Sequence, residues 1–493
     1  MLDSTFNADG MVTTDVGGDA DMINSIAIQS DGKIIAAGSA KISGVTKIAV
    51  LRYNPDGSPD NTFGSGGIVT TSIGSFDAAT AVAIQTDGKI VVAGATFNTT
   101  LDFAVVRYNT NGSLDNTFDT DGIAVAPVGT GNDSPRAMVI QSDGKIVLAG
   151  KVSVSSKLHF GLARFNTNGS LDNTFDTDGV LTTFFGTIPS DAYAIAMQAD
   201  NKIVVAGNAT AADATSENFA IARYNSDGSP DNTFDTDGML TTDLGTASDI
   251  GEGVVIQPDG KIVVTGETQP GGNNENFALV RYNTNGTLDN TFGTGGITTT
   301  DFFGNNDNPS SLVLQPDGKI IVAGFTFNGT SFPDFALAKY LTNGSLDISF
   351  GTGGKVWTDF GTGTNTATTI ALQTDGKIVA GGATNAGTVT ADFALARYIP
   401  QLTTGIKGHP LKANPALVYP NPFSSTTTLH TDNILLDATL TVENCFGQTV
   451  KQINNLSGQT ITFYRDNLPA GLYFIRLTQG NNTFPAGKLV ITD

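Results

Sequence analysis

Apolar residues along this chain fall in short runs, and one of the clearest folds back on itself: Ile84-Gln85-Thr86-Asp87-Gly88-Lys89-Ile90-Val91-Val92-Ala93-Gly94. Two apolar strands flank an Asp-Gly pair, which accepts the positive φ angles of a type I′ turn, whose twist matches that of paired strands. The unit occurs seven times, with its turn aspartate at Asp31, Asp87, Asp143, Asp200, Asp259, Asp317 and Asp375, at spacings of 56, 56, 57, 59, 58 and 58 residues. In one copy Asn201 takes the glycine's place, and Asn also tolerates this backbone. The chain is an array of repeats.

Residues 68 to 118 show the full unit: Ile68-Val69-Thr70-Thr71, then Ala81-Val82-Ala83-Ile84, then Ile90-Val91-Val92-Ala93, then Phe103-Ala104-Val105-Val106-Arg107-Tyr108. Four short strands per unit is the spacing of sandwiches and propellers, and no window keeps a helical period for three turns. Runs such as Ile262-Val263-Val264 are apolar on both faces, whereas an open sheet with one wet face alternates. Sheets that pack against a neighbour on each side need that pattern. The expected fold is all-β, a seven-bladed β-propeller of four-stranded antiparallel blades. Met11-Val12-Thr13-Thr14 precedes the first hairpin, while no β run follows Phe393-Ala394-Leu395-Ala396-Arg397-Tyr398. The opening residues are therefore expected to complete the last blade, which removes a free edge strand. A ring closed in this way is expected to be a monomer.

The connections repeat as well. Arg52 and Asp60, Arg107 and Asp115, Arg164 and Asp172, Arg223 and Asp231, and Arg281 and Asp289 each stand eight residues apart, and Lys339 and Asp347 keep the interval. A phenylalanine follows each aspartate by three: Phe63, Phe118, Phe175, Phe234, Phe292 and Phe350. Fixed spacing of a cation, an acid and an aromatic reads as one structural corner per blade, an ion pair packed beside Phe. Length varies elsewhere: from the glycine ending the second hairpin strand to the next strand the intervals are 10, 9, 10, 12, 11, 11 and 11. These loops lie on the opposite face from the Asp-Gly turns and differ in sequence, so recognition is expected there.

After Tyr398 the pattern changes. Residues 1–399 read as the propeller, 400–414 as a Pro- and Gly-containing linker, and 415–493 as a small β-sandwich with strands near Ala438–Asn444, Gln459–Tyr464, Gly471–Leu477 and Lys488–Ile491. A net charge of −21 argues against nucleic acid as a partner, since phosphate binding needs a basic face, and equally against docking on anionic lipid. Cys445 is the only cysteine, which leaves no disulfide framework. No apolar run reaches the length of a membrane span. Met1-Leu2-Asp3-Ser4-Thr5-Phe6 already belongs to a repeat and shows no charged-and-apolar leader, so an exported form is expected to have a signal peptide outside this sequence.

Candidate chemistry is sparse. The three histidines are spread out: His159 in a loop of the third blade, His409 in the linker and His430 in the tail. Neither a histidine metal cage nor a histidine base is expected. Asp119/Asp121, Asp176/Asp178 and Asp235/Asp237 have Gly64/Gly66, Gly293/Gly295 and Gly351/Gly353 as counterparts, which points to positive φ rather than to catalysis. Calcium in these turns is a lesser alternative, and no other cofactor is expected. Phe97, Phe327 and Phe332, with Tyr193, are aromatics that could stack on sugar rings; together with His159 they are the candidates for binding on the variable face. Trp357 reads as core.

The recurring Leu-Asp-x-Thr-Phe, Asp-Gly-Lys-Ile-x-x-Ala-Gly and Phe-Ala-Leu-Ala-Arg-Tyr-Asn runs resemble the delta-60 repeat family of bacterial β-propellers over residues 2–399, which implies a fold and no general activity. Tyr419-Pro420-Asn421-Pro422-Phe423, Phe446-Gly447-Gln448-Thr449-Val450, Leu468-Pro469-Ala470-Gly471-Leu472-Tyr473 and Lys488-Leu489-Val490-Ile491 resemble the C-terminal sorting domain of the type IX secretion system of Bacteroidota. That resemblance implies passage across the outer membrane, with the secretion machinery as partner and cleavage of the tail as the usual outcome. The expectation is a secreted or cell-surface propeller that binds a glycan or a surface protein without catalysis. A glycan-degrading hydrolase or lyase with carboxylates at the central channel, and a purely architectural protein, stay open.

Overall fold

In the computed structural model the described residues are 1–186, 188–211, 216–245, 248–269, 274–329, 332–361, 363–386, 390–399, 417–444, 448–479 and 482–493. The expected linker, His409 and Cys445 lie outside them. The chain forms two units, Met1–Leu402 and Thr403–Asp493.

The first unit is built of seven four-stranded antiparallel sheets. Strands β2 (Asp21–Ile28), β3 (Ile34–Ile42), β4 (Val45–Tyr53) and β5 (Ile68–Thr71) are paired in that order and make the first blade. Blades two to six repeat it over 76–126, 134–183, 190–242, 250–300 and 307–358. The seventh takes three strands from 366–398 and its fourth from β1 (Met11–Thr14), which pairs antiparallel with Asp392–Tyr398 in the register Met11 to Ala396 and Thr14 to Phe393. The first strand of every blade touches the first strands of both neighbouring blades, and these contacts close into a ring of seven. First strands therefore line the axis, and fourth strands form the rim.

Packing explains the two-faced apolar runs. Ile90, Val91, Val92 and Ala93 are all fully buried, because the second strand of a blade is covered on both sides by adjoining sheets. A second device joins the sheets. The third-strand tyrosine of each blade, fully buried, is hydrogen-bonded to a threonine ending the fourth strand of the preceding blade: Tyr108 to Thr71, Tyr224 to Thr183, Tyr282 to Thr242, Tyr340 to Thr300, Tyr398 to Thr358, and Tyr53 to Thr14 of β1. The junction of blades two and three lacks both partners. Phe165 has no hydroxyl, and the residue in the threonine position is Ala126. A buried hydroxyl is kept only with its partner, and here both are gone.

The corner is the third device. Arg52 Nε donates to Asp60 Oδ2 at 2.7 Å, its Nη2 to Thr62 Oγ1 at 3.0 Å, and its Nη1 to the carbonyl of Thr110 in the next blade at 2.6 Å. The guanidinium lies 4.7 Å from the Phe63 ring centre. Lys33, from the Asp-Gly-Lys turn, reaches the same carboxylate at 3.2 Å. Burial pushes the Asp60 carboxyl up, but the Thr62 hydroxyl and N–H, Lys33 and Arg52 outweigh it and hold it well below the usual carboxylate range. Arg107, Arg164, Arg223 and Arg281 repeat the arrangement with Asp115, Asp172, Asp231 and Asp289. In the sixth blade Lys339 stands 3.7 Å from Asp347. The seventh blade borrows its corner from the other end of the chain: Arg397 Nε donates to Asp3 Oδ2 at 2.9 Å, Nη2 to Thr5 Oγ1, Nη1 to the Pro55 carbonyl, and the guanidinium covers Phe6.

Two readings need correction, one in the turns and one in a strand. Asp119, Asp176 and Asp235 do have positive φ, at 43° each, like Gly64, Gly293 and Gly351. Asp121, Asp178 and Asp237 do not share the conformation of Gly66, Gly295 and Gly353; the middle threonine (Thr120, Thr177, Thr236) takes the positive φ in these turns. Each of the three carboxylates accepts the N–H two residues on, Asp121 from Ile123 at 2.9 Å for example. Trp357 is not core: it lies in a rim strand, 40% exposed, edge-on to Phe303 at 5.0 Å.

The second unit is a five-stranded sheet (Leu417–Tyr419, Thr426–Glu443, Thr449–Tyr464, Gly471–Gln479, Asn482–Ile491). Its strands are longer than the expected ones. Register breaks along Thr426–Glu443 let one strand pair with three neighbours, and the sheet closes over Phe423, Leu429, Leu440, Phe463, Ile475 and Leu489.

A double-mutant cycle tests the tyrosine device. Phe165→Tyr alone is expected to destabilise by about 1–3 kcal/mol by burying an unpaired hydroxyl. Phe165→Tyr with Ala126→Thr is expected to recover at least half of that loss in thermal or denaturant melts. Equal melting of the single and double variants would show that the hydroxyl pair does not couple.

Candidate functional site at the axis

Each first strand carries a one-residue bulge, where the register with the second strand shifts. The bulged residues, each seven before the turn aspartate, are Asn24, Thr80, Arg136, Tyr193, Glu252, Ser310 and Thr368. A bulge re-aims its side chain, and here it reaches across the axis-lining ring. Asn24 Nδ2 donates to the Ala79 carbonyl of the next blade at 2.7 Å, and Thr368 Oγ1 to that of Ile23 at 2.7 Å. Small polar residues hold this position in four blades, and in two of them they tie one blade to the next. In the three consecutive blades between them the ties are replaced by a cation, a phenol and an acid.

The second strand repeats the split. Eight residues after the turn aspartate stand Ser39, Ala95, Lys151, Asn208, Glu267, Phe325 and Ala383, so the charged and amide side chains again fall in blades three to five. Lys151 pairs in the sheet with Ser134, Asn208 with Asp191, and Glu267 with Ile250. The result is one half of the axial opening lined by charge and the other half by neutral residues.

Contacts knit the charged half together. The Arg136 guanidinium lies 5.2 Å from the Tyr193 ring centre, and Lys151 Nζ 3.9 Å from Asp191 Oδ2. Asn308 Nδ2 donates to Glu275 Oε2 at 2.8 Å and to Glu267 Oε2, bringing these two acids to one amide. Burial pushes the Glu252 carboxyl well above the usual carboxylate range, with Glu267 adding to the shift and Arg136 opposing it. Glu267 is pushed up to about 7 by burial and by the Glu275 charge. Burial also raises Asp191, against the pull of Arg136 and Lys151, and raises Glu217 and Tyr193, where the Asp191 charge adds to it. Arg136 Nε, Asp191 Oδ1, Asn208 Oδ1 and Glu252 Oε2 are buried atoms without a hydrogen-bond partner. Buried polar atoms are rarely left so unless something else satisfies them. Chemically the group offers donors, acceptors and a carboxyl, that of Glu252, pushed by burial well above the usual carboxylate range.

The sequence-derived candidates lie elsewhere. Phe97 belongs to the second blade and Phe327 and Phe332 to the sixth; Phe97 and Phe332 are exposed, while Phe327 packs beside Phe325 at 6.4 Å. His159 is not a loop residue. It lies within the strand Lys157–Phe165, 3% exposed, with its ring 4.4 Å from that of Phe184, because the third blade's hairpin is extended to Lys157. Burial, with the Lys157 charge, lowers its pKa. Tyr193 alone among the named aromatics is part of the charged half. Arg136, Lys151, Asp191, Glu217, Glu252, Glu267 and Glu275 were missed; aligning the seven repeats on the turn aspartate and reading the columns at seven before and eight after exposes four of them, Arg136, Lys151, Glu252 and Glu267. On the opposite face a groove between blades four and five is lined by Gln198, Lys202, Arg223 and Thr233, side chains occupied by a corner or next to one.

A family model described as a β-propeller domain of unknown function (DUF5122) matches residues 29–63, 85–118, 141–175, 198–234, 257–292, 315–350 and 373–400. A secretion-system C-terminal sorting domain matches 417–492. The chain belongs with these propeller repeats and carries that sorting tail, which marks it for export by the type IX secretion system to the outer cell surface or the medium. A search of curated proteins finds no match. Among solved structures it is similar to PorZ, a surface component of the type-IX secretion system of Porphyromonas gingivalis, at 12% identity and TM-score 0.43, over 98% of this chain and 61% of that one. The chain thus spans about three fifths of the length of PorZ. It is also similar to the polysaccharide lyase Uly1, at 12% identity and TM-score 0.43 over 77% of this chain and 90% of that one. A fungal alcohol oxidase gives 14% and 0.42 over 98% of both chains.

The Glu267 shift has a signed consequence. Below about pH 4.5 the acid is protonated folded and unfolded; between 4.5 and 7 the unfolded chain gives up a proton that the folded one keeps, so this residue makes stability fall with rising pH. Glu267→Gln is expected to melt higher relative to the parent at pH 8 than at pH 4, read by calorimetry at both pH values. A parent–variant difference independent of pH would contradict the shift.

Proposed function

We propose that this exported propeller is a binding module that holds a neutral or amino-bearing carbohydrate polymer against the charged half of its axial opening, without turning it over. The observation that carries this reading is the set of buried, unpartnered polar atoms of Arg136, Asp191, Asn208 and Glu252, gathered from three adjacent blades. Hydroxyl groups supply both the donors and the acceptors such atoms lack. The Tyr193 ring beside Arg136 supplies an apolar face of the kind sugar-binding pockets use. Five acids against two cations disfavour a polyanion, and a rigid ring keeps the group preformed.

A second reading rests on a specific observation. Glu252, pushed by burial well above the usual carboxylate range, and Glu267, pushed up to about 7, stand in environments that suit a general acid and base. Binding and hydrolysis part in one experiment. The intact protein is applied to immobilised neutral, amino-bearing and anionic glycans, with Arg136→Ala, Tyr193→Ala and Glu252→Gln beside it, and the solutions are assayed for new reducing ends. Binding of a neutral or amino-bearing polymer, weakened about tenfold or more by Tyr193→Ala and without product release, is the expected result. Retention by anionic glycans alone, or binding untouched by these changes, would overturn the proposal; product release lost in Glu252→Gln would establish the hydrolase.

A further inference from the structure

The seven blade junctions near the start of the first strands are built on one plan. After the fourth strand of a blade comes one position, the third strand of that blade contributes a second, and the residue ten before the turn aspartate of the next blade contributes a third. At the junction of blades six and seven these are Asp359, Asp334 and Asn365; at that of blades five and six, Asp301, Asn276 and Asp307. At the junction of blades three and four they are Phe184, His159 and Ser190, with the first two in ring contact. Only at the junction of blades seven and one are all three acidic: Asp15, Asp392 and Asp21, each offering a carboxylate oxygen within 4.8 Å of the others.

The buried member carries a separate anomaly. The third-position acid normally uses both oxygens. Asp77 accepts the N–H of Ile73 on one and the hydroxyl of Thr96 on the other, Asp249 those of Leu244 and Thr268, and Asp307 those of Phe302 and Thr326. Asp21 accepts the N–H of Val16 on Oδ2 at 2.6 Å, but Ala40 occupies the threonine position, and Oδ1 is buried without a hydrogen-bond partner while the whole residue is 1% exposed. A donor present in three sister blades is thus missing in the one blade where two more carboxylates converge. Two other acidic junctions have their own compensation: Asn365 Nδ2 donates to Asp359 Oδ1 at 3.4 Å, and the Lys355 charge acts on Asp307. Among the described residues no cationic side chain forms an ion pair with Asp15, Asp21 or Asp392.

We propose that Asp15, Asp21 and Asp392 bind a divalent, oxygen-preferring cation of the calcium class at the closure of the ring. Two oxygens on opposite sides of Ca²⁺, each about 2.4 Å from it, are about 4.8 Å apart, so the carboxylates can share one ion with water completing the shell. Burying three like charges together without a counter-charge is unfavourable, and an ion removes that repulsion. The location gives the ion a mechanical part. Asp15 and Asp21 flank the loop after β1, Asp392 begins the strand with which β1 pairs, and only noncovalent contacts join those two stretches. An ion there fastens the two ends of the ring. An exported protein meets calcium at the millimolar levels that extracellular sites of this kind use.

The test uses the full chain, stripped with chelator. Terbium luminescence and calorimetric melts are recorded with CaCl₂ from zero to 10 mM for the parent, Asp15→Asn, Asp392→Asn and the control Asp359→Asn. The parent and Asp359→Asn are expected to bind terbium competitively with calcium and to melt about 2 °C or more higher in 10 mM calcium, and the two seam variants to lose both responses. A parent indifferent to calcium would overturn the assignment, as would seam variants that keep the full response. A third outcome, Asp392→Asn melting above the parent at neutral pH with no calcium effect in either, would also overturn it, and would mean that a shared proton takes the ion's place.

Discussion

A guanidinium held between the carboxylate of its own blade and a carbonyl of the next is the contact on which the ring depends. Hydrophobic burial presses the sheets together but does not set their angle, since apolar packing is not directional. The corner is directional: Arg107 meets Asp115, Thr117 and the Thr167 carbonyl through three different nitrogens, over the ring of Phe118. Such a buried pair costs desolvation, and removing one partner typically costs about 3–5 kcal/mol because the other is left uncompensated. Repeated around the ring, with the tyrosine–threonine link of six blades, it makes each sheet's position a function of its neighbour's.

That rigidity leaves the axis free to vary. The bulge position is a backbone feature common to all blades, so its side chain can change from Thr to Arg, Tyr or Glu without disturbing the sheet. Asn24 and Thr368 spend their polar groups on the adjoining backbone, whereas Arg136, Tyr193 and Glu252 are too long for that use and turn to one another. Repetition builds the frame, and three departures from it build the site. The seam with Asp15, Asp21 and Asp392 follows the same logic at a different position of the repeat.

Much of the frame was legible in the sequence, because turns, two-faced strands and fixed spacings are local signals. Asp87-Gly88 announces its hairpin, and Met11–Thr14 announces the missing strand of the last blade. The corner residues were legible as a spacing, though not the reach of Arg52 to Thr110, which joins residues 58 apart. The axial site was hidden for a physical reason. Loop length marks individuality between strands, but the distinguishing residues sit inside regular strands, where a bulge makes an interior position face the opening. Trp357 differs for a related cause, since burial in a propeller follows distance from the axis and the blade gap, not strand membership; His159 differs because the longer hairpin of the third blade makes a loop position into strand.

Closure of the ring by the chain's opening residues is the central claim, since the corner at Arg397, the register of β1 and the seam all follow from it. It is tested most directly by removing residues 1–14 and comparing the melting temperature, and the hydrogen exchange of amides 393–396, with those of the full chain. Loss of Asp3, Phe6 and β1 is expected to lower the melting temperature by about 5 °C or more and to expose those amides. An unchanged melting temperature with the amides still protected would contradict the account.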